Sequence, residues 1–403
     1  MKLTLDTKTF ADTLGWITRN LPSHPPVPVM AGIKLTASGD TVQAVGRDWE
    51  VTSRAVLDAD VAQDGTVLLP GRLLADITRQ LPTGPLQIVV EDATCILTGP
   101  RSTFTLQTLP LDDYPDPPQP PDEAGRMSAE AFTSAITQTA IAAGHDSTVP
   151  MLTGLRMEFT GDQIAFAATD RYRLAAAART WEPAGSTDDT DDSGEYALVA
   201  PAATLANLAK GIDRSIEHIT LAISRHATDN GTVVTGLSIT AGTRTLHTRV
   251  LEDNFVKWRK ILPATFTAST LADTGELAAA VRRVATVAER NTPVRLTCTP
   301  GGGDAEGEIE LQAGHGDAAA ARETLPALVT ATKPLTIAFN PDYLLDALIT
   351  VPGERMCLHT TDSVKPAVMV PAPADAGVET LPASGAPGPG EHRHLLMPVR
   401  VTS

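Results

Sequence analysis

Val27-Pro28-Val29-Met30-Ala31-Gly32 is written a second time as Val149-Pro150-Met151-Leu152-Thr153-Gly154, and a fainter echo stands at Thr292-Pro293-Val294-Arg295-Leu296. Each copy follows a helix-like segment and opens a strand-like run. A second marker lies downstream of each, where a strand meets a proline and a short amphipathic helix. It is Leu69-Pro70 before GRLLADITRQL, Ala200-Pro201 before ATLANLAKGI, and Asn340-Pro341 before DYLLDALIT. The copies are spaced by about 120 to 140 residues, far beyond the ~20 to 50 of a solenoid repeat. The repeating object is therefore a whole domain, used three times.

Length agrees with this count, because 403 residues exceed what one core organises and fit about three ordinary domains. A hydrophobic content of 42% with 20% charged residues is globular. The N-terminus MKLTLDTKTF alternates like a strand, without the apolar block of a signal peptide or a membrane span. These features predict a soluble cytoplasmic protein. Cys95, Cys298 and Cys357 are odd in number, far apart and set in apolar runs, which predicts buried free thiols rather than disulfides. The net charge of -16 argues against binding nucleic acid over a broad surface, but it averages over faces. A small basic surface inside an acidic exterior can still attract a duplex.

The periodicity predicts helices over 7–20 and 71–81 in the first unit, with strands at 31–37, 41–46, 49–58, 66–69, 86–90, 93–98 and 102–109. Residues 111–125, proline-rich and polar, read as a semi-rigid linker. The second unit restarts with a helix over 128–143 and the third with one over 275–290. Two helices and many short strands per unit make an α+β class with sheet dominant. The acidic segment 186–195 lacks the spacing of a calcium loop and reads as solvated. Gly301-Gly302-Gly303 lacks the lysine of a phosphate loop. Residues 371–391 read as a low-complexity loop, followed by an apolar strand in HLLMPVRVTS.

Catalytic signatures are missing: the sequence holds no GxSxG, HExxH or CxxC, and no GxGxxG in a strand-turn-helix setting. His392 and His394 sit close together without a third ligand and read as surface residues at a loop or strand end. No cofactor or metal is predicted. The weight falls on binding rather than catalysis.

Three segments carry a resemblance: ATDRYRLA at 168–175, EDNFVKWRKILP at 252–263, and LLMPVRV at 395–401. With MKLTLDTKTF, PVPVMAGIKL, LPGRLLADITRQLP and TDSVKPAV in order, the whole chain resembles the bacterial DNA polymerase sliding clamp family, the β subunit of polymerase III. The resemblance implies three clamp domains, 1–123, 124–264 and 265–403, in a ring closed as a head-to-tail homodimer. Duplex DNA would thread the ring without sequence preference and meet His24, Arg72, Arg79, Lys210, Arg214, Arg282, Arg283 and Arg290 through phosphates. Phe104 and Leu106, on the edge strand TFTLQTL, would lie at the dimer interface.

The resemblance also implies a groove for short linear motifs of the polymerase III catalytic subunit, the clamp loader, other polymerases and repair proteins. Its lining would be Leu152, Thr169, Arg171, Tyr172, Arg173, Leu174, Val256, Lys260, Ile261, Val364, Pro366, Leu396, Met397, Pro398, Val399 and Arg400. Arg173 and Arg400 would be available to peptide carbonyls or an acidic residue. Departures from the family pattern stand at His24, Val256, Lys260, Ala202 and Ala203. They raise a variant in which the chain is a second, inhibitor-tolerant clamp, and the lysine supplies a point charge in place of an arginine fork. The implied role is a non-catalytic processivity factor, nucleoid-associated in the cytoplasm. The alternative from another class is a hydrolase or transferase on repeated α+β domains.

Overall fold

The computed structural model describes all residues except 23–24, 26, 119–120, 186–195, 229–230, 253, 289–291, 302–305, 316–318, 376–384 and 401–403. The acidic segment 186–195, His24, Arg290 and Gly302-Gly303 therefore lie outside the described residues, as does the 376–384 part of the low-complexity stretch.

The first repeat runs β1 (Lys2–Asp6), α1 (Thr7–Thr18), β2 (Gly32–Ser38), β3 (Thr41–Arg47), β4 (Val51–Asp58), β5 (Asp60–Gln63), β6 (Gly65–Pro70), α2 (Gly71–Gln80), β7 (Pro85–Glu91), β8 (Thr94–Thr98) and β9 (Thr103–Gln107). The second runs β10 (Glu123–Ser128), α3 (Ala129–Ala140), β11 (Gly154–Thr160), β12 (Gln163–Thr169), β13 (Arg173–Thr180), β14 (Glu182–Pro183), β15 (Tyr196–Pro201), α4 (Ala202–Ala209), β16 (His218–Thr228), β17 (Gly231–Ala241) and β18 (Arg244–Arg249). The third runs β19 (Ala268–Asp273), α5 (Thr274–Ala285), β20 (Val294–Thr299), β21 (Gly307–His315), β22 (Ala319–Val329), β23 (Leu335–Phe339), α6 (Pro341–Thr350), β24 (Arg355–Thr360), β25 (Ala367–Ala372) and β26 (His392–Leu396). Two helices per repeat match the sequence reading, and element ends move by a few residues. The short β5 was not foreseen.

Local chemistry explains the recurrence. Asp6 accepts the N–H of Thr9 at 2.8 Å and Asp273 that of Glu276 at 2.7 Å, so the first helix of repeats one and three starts on the same aspartate cap. Asn340 caps α6 by accepting from Asp342 and Tyr343, with Pro341 at its first turn. α1 buries Phe10, Thr13, Leu14 and Ile17, a helical stripe. The opening motif forms a single 3-10 turn at Pro28–Ala31 and again at Pro150–Thr153. Its glycine is fixed by space: a Cβ on Gly32 would lie 2.7 Å from Leu68, and one on Gly154 would lie 2.3 Å from Val199. At Thr292-Pro293 the strand β20 follows without that turn.

Contacts group the chain into two compact units, residues 1–130, 182–188 and 207–250 in the first, and 131–181, 189–206 and 251–403 in the second. The first unit holds a five-stranded sheet, β5-β1-β7-β8-β9, and a nine-stranded one, β14-β10-β16-β17-β18-β4-β3-β2-β6. The second holds one twelve-stranded sheet, β15-β11-β12-β13-β26-β25-β24-β19-β22-β21-β20-β23. All ladders are antiparallel. Cys95, Cys298 and Cys357 are free and buried, and burial pushes the thiols of Cys95 and Cys357 up to about 11 and about 12.

The reading of His392 and His394 as surface residues is corrected, because both rings are fully buried on β26. β26 runs between β13 and β25, and its histidines register against Ala177 and Ala175, whose small side chains leave room for a ring. The 385–391 end of the expected loop is likewise tied down. Gly390 and Ala178 exchange a backbone bond of 2.9 Å, and the Gly388 N–H donates to the Glu391 carboxylate at 2.7 Å.

Burial, with Arg179 beside it, pushes His392 down to about 3, and burial with His392 alongside holds His394 well below its ordinary value. The unfolded chain protonates both near pH ~6.5, so their neutral burial favours folding above that pH and the advantage is lost as pH falls toward 3. Each group adds a slope of up to about 1.4 kcal/mol per pH unit in that window. Urea midpoints should fall between pH 6.5 and 4, and His394→Leu should flatten the profile. An equally steep profile in the variant would remove His394 as a cause.

Candidate peptide groove and basic helix faces

The described residues bear eleven exposed large hydrophobic side chains, and five of them, Tyr172, Ile261, Val364, Met397 and Val399, belong to the predicted groove set. They come from four separate stretches of the second unit. Buried beneath them are Leu174, Val368 and Leu395, which share one cluster with Trp258 and Leu262 and have Val256 packed against it. Leu396 belongs to a neighbouring core with Ala367 and Leu344. Leu152 and Thr169 are also buried, while Pro366 and Pro398 are half-buried. A surface of this kind has a fixed apolar floor and exposed apolar rims, which suits side-chain anchors of an extended segment.

Backbone bonds hold the parts together. The last strand, β26, pairs with β13 in the register Arg173↔Leu396 and Leu174↔Leu395. Past its end the Met397 N–H donates to the Tyr172 carbonyl at 2.9 Å, and the Val399 N–H to Ala338 at 2.8 Å. Between β12 and β13 the chain turns tightly over Asp170-Arg171-Tyr172. Asp170 Oδ1 accepts the N–H of Tyr172 at 2.9 Å and of Arg173 at 3.0 Å. The Thr169 hydroxyl donates to the Arg173 carbonyl at 2.6 Å and accepts the Arg171 N–H at 3.2 Å. Trp258 is anchored by its indole N–H on Glu158 at 3.2 Å, and Glu158 also pairs with Arg259.

One expected role changes. Arg173 is only 5% exposed, and its guanidinium is consumed within the chain by Asp170 at 2.9 Å and by Asp346. It also stacks over the Tyr343 ring at 4.4 Å. It is thus not free for a peptide, and it orders the turn instead. The sequence reading missed Tyr343 and Asp346, having taken the α6 segment only as a repeat marker. Their signal was an aromatic and a carboxylate at helical spacing, i and i+3, on that segment. Tyr172 stacks on Tyr343 at 6.4 Å. The exposed cations of the set are Arg171, Lys260 and Arg400, none of which makes an ion pair among the described residues.

The basic residues expected to meet DNA are exposed where described, but they differ in free charge. Arg72 on α2 donates to the Leu21 carbonyl at 3.1 Å and has no carboxylate partner among the described residues. Arg79 leans on Asp76 at 3.4 Å, and Arg283 on α5 is bound in a fork by Glu323. Arg282 beside it is exposed. Lys210 and Arg214 lie past the end of α4 in the following turns, not on the helix, since α4 stops at Ala209. Phe104 is 36% exposed on β9, an edge strand, whereas Leu106 is buried against its own sheet. A cavity of about 480 Å³ is lined by Glu306, Glu308 and Pro326 among others, and by no residue of the groove or basic sets. Among the described residues no cluster suits a metal, and no helix is long and apolar enough to cross a membrane.

Comparison with known proteins gives the relationship. Family models described as the N-terminal, central and C-terminal domains of the DNA polymerase III beta subunit match residues 1–118, 126–257 and 259–383. The beta sliding clamp of Streptomyces coelicolor is 38% identical over 403 residues, covering all of both chains. The beta sliding clamp homolog GriR of Streptomyces muensis is 33% identical over 401 residues, covering 99% of each. Crystal structures of the Bacillus subtilis sliding clamp and of a Pseudomonas aeruginosa clamp bound to griselimycin share the fold, each with a TM-score of 0.83 at 22% identity over the full length of both chains. The hydrolase or transferase alternative is thereby set aside. With three domain models in order and a relative matched end to end, the chain belongs to the DNA polymerase III β subunit family, the sliding clamps, which are non-catalytic processivity factors.

Proposed function

We propose that two copies of this chain close head to tail into a ring around duplex DNA and tether replication and repair proteins to it, working on the nucleoid in the cytoplasm. The observation that carries this reading is a joint used twice. β4, the last strand of the first repeat's β6-β2-β3-β4 layer, pairs with β18, the last strand of the second repeat, in the register Ala55↔Arg244. β13 is the counterpart of β4 in the second repeat and pairs with β26, the counterpart of β18 in the third. The same rule leaves one pair unmatched: β22, which follows β4 and β13 in the series, and β9, which precedes β18 and β26. Among the described residues β9 has a neighbour on one side only. β22 is bonded by β21 along 319–327, while β19 meets it only at Leu328 and Val329, and it carries Pro326, a residue sheets confine to edges.

Such edges invite pairing with another chain, and the partner that repeats the joint is a second copy. Domains at 1–123, 124–264 and 265–403 are then the ring's six segments, three from each protomer. Among the described residues, Arg72, Lys210, Arg214 and Arg282 are the cations of the expected set left to reach phosphates. The groove is the docking place for short motifs of the polymerase III catalytic subunit, the clamp loader, other polymerases and repair proteins. A narrower reading, a second clamp that tolerates a groove-binding inhibitor, is supported by the relation to the homolog GriR and by Val256 and Lys260 at the groove.

Three measurements follow. Phe104→Glu should turn the dimer into monomers in sedimentation while the chain keeps its folded circular-dichroism spectrum; a dimer that survives would move the interface off β9. Changing Arg72, Lys210 and Arg282 to alanine should weaken duplex binding alike on all sequences. It should also flatten the salt dependence by about 0.9 per lost phosphate contact, and a sequence-selective loss would contradict contact through phosphates. Griselimycin titrated calorimetrically should bind this chain at least about tenfold more weakly, a difference of about 1.4 kcal/mol, than it binds the Pseudomonas aeruginosa clamp. Equal affinity would leave the chain an ordinary clamp.

A further inference from the structure

We propose that the first unit carries a second peptide-docking site, centred on Trp49, whose occupant is a short extended segment bearing arginine or lysine beside an apolar residue. The inference rests on the groove reading in the second unit and carries its form to another place in the chain. Trp49 is 56% exposed, the bulkiest of the exposed apolar side chains, and its indole N–H has no partner among the described residues. One exposed apolar residue carries little weight by itself. Its setting carries more, because the backbone around it repeats the groove part by part.

The turn is the first part. Residues 48–51 cross between the closing pair Arg47↔Thr52 of β3 and β4, as 170–173 do between Thr169↔Leu174 of β12 and β13. Asp48 Oδ1 accepts the N–H of Glu50 at 2.8 Å and of Val51 at 2.6 Å, just as Asp170 accepts those of Tyr172 and Arg173. The strand end is the second part. The N–H of Arg249, the last residue of β18, donates to the Glu50 carbonyl at 2.8 Å, as the Met397 N–H does to Tyr172. A hairpin is the third: β16 and β17 precede β18 as β24 and β25 precede β26, and Val233 is 51% exposed on it, as Val364 is between β24 and β25. The segment after β9 is the fourth. Its Tyr114 is buried with Val29, Met30 and Leu68 and donates to the Val45 carbonyl at 3.4 Å, while Arg47 donates to the carbonyls of Pro115 and Asp116. These bonds tie the segment to the strand that leads into the turn, as buried Trp258 anchors the segment after β18.

Charge names the occupant. The groove of the second unit shows the exposed cations Arg171, Lys260 and Arg400, whereas this site shows carboxylates. Glu50 in the turn and Asp112 and Asp113 on the segment after β9 are exposed and make no ion pair among the described residues. Asp116 is opposed by Lys34 at 3.5 Å, and Arg47 is engaged by carbonyls. Arg249 is then the exposed cation left on these segments, against three free carboxylates. An indole face beside carboxylates attracts a guanidinium or an ammonium through the ring quadrupole and the charges together. An acidic segment is repelled there.

Fluorescein-labelled hexapeptides that share two leucines and place arginines, glutamines or glutamates between them test this by polarisation. The unmodified chain should prefer the arginine peptide to the glutamine one by about fivefold at low salt, and should bind the glutamate one least. Trp49→Ala should weaken the arginine peptide about tenfold, and Trp49→Phe should keep part of the affinity. Glu50→Gln should lower the preference for arginine over glutamine. Met397→Glu, in the groove of the second unit, should leave the arginine peptide's affinity unchanged. An arginine peptide that binds Trp49→Ala as tightly as the unmodified chain overturns the proposal, and so does one that does not bind at all. An uncharged peptide with leucine and phenylalanine anchors separates the two readings. If it binds and is lost in Met397→Glu while the arginine peptide fails, the groove reading stands and the Trp49 site falls. If only the arginine peptide binds, and through Trp49, the site stands without its template.

Discussion

Unpaired strand edges govern this structure. A backbone N–H or carbonyl at the margin of a sheet has to find a partner in protein or water. A chain built from repeated sheet domains must dispose of two such margins per repeat. Here the last strand of one layer is laid against the last strand of the next repeat, once at β4 and β18 and once at β13 and β26. The nine-stranded sheet joins four strands of the first repeat to five of the second, and the twelve-stranded one joins four of the second to eight of the third. Capping by Asp6 and Asp273 starts the first helix of repeats one and three at corresponding points.

The joint at β13 and β26 also explains where the groove sits. Pairing Arg173 with Leu396 brings a turn from the second repeat and the last residues of the third into one place. The turn's own bonds, from Asp170 and Thr169, preset the backbone of Tyr172, and the ion pair of Arg173 with Asp346 ties it to α6. Under the proposed reading, a surface held this way has less to order when a peptide arrives, so less of the binding energy is lost to fixing loops. Burial of Arg173 is therefore a condition of the groove's shape, while Arg171, Lys260 and Arg400 stay exposed.

Much of this was legible in the residues. The repeated Val-Pro motif marked where a strand opens in the first two repeats, β2 and β11. Helical stripes and the alternation of strands set the α+β class. What the sequence hid were polar residues whose burial depends on distant partners. His392 and His394 look like surface residues until Ala175 and Ala177, more than 200 residues earlier, are placed opposite them. Arg173 reads as a free cation until Asp346, 173 residues away, closes on it. An alanine run in a strand is the trace such sites leave, since small side chains across a ladder make space for large ones.

The acidity of the chain is consistent with a clamp for a related reason. A protein that slides on a duplex has to be held by enclosure, and strong phosphate contacts would fix it in place. At a net charge of -16, most of the surface repels DNA. Two of the basic residues that the sequence assigned to phosphates are already opposed by carboxylates of the chain, Arg79 by Asp76 and Arg283 by Glu323. Among the described residues of that set, the side chains left with free charge are few: Arg72, Lys210, Arg214 and Arg282. Under the proposed reading, retention then comes from the closed topology that the β9 and β22 edges complete, and electrostatics is left to centre the duplex rather than to bind it.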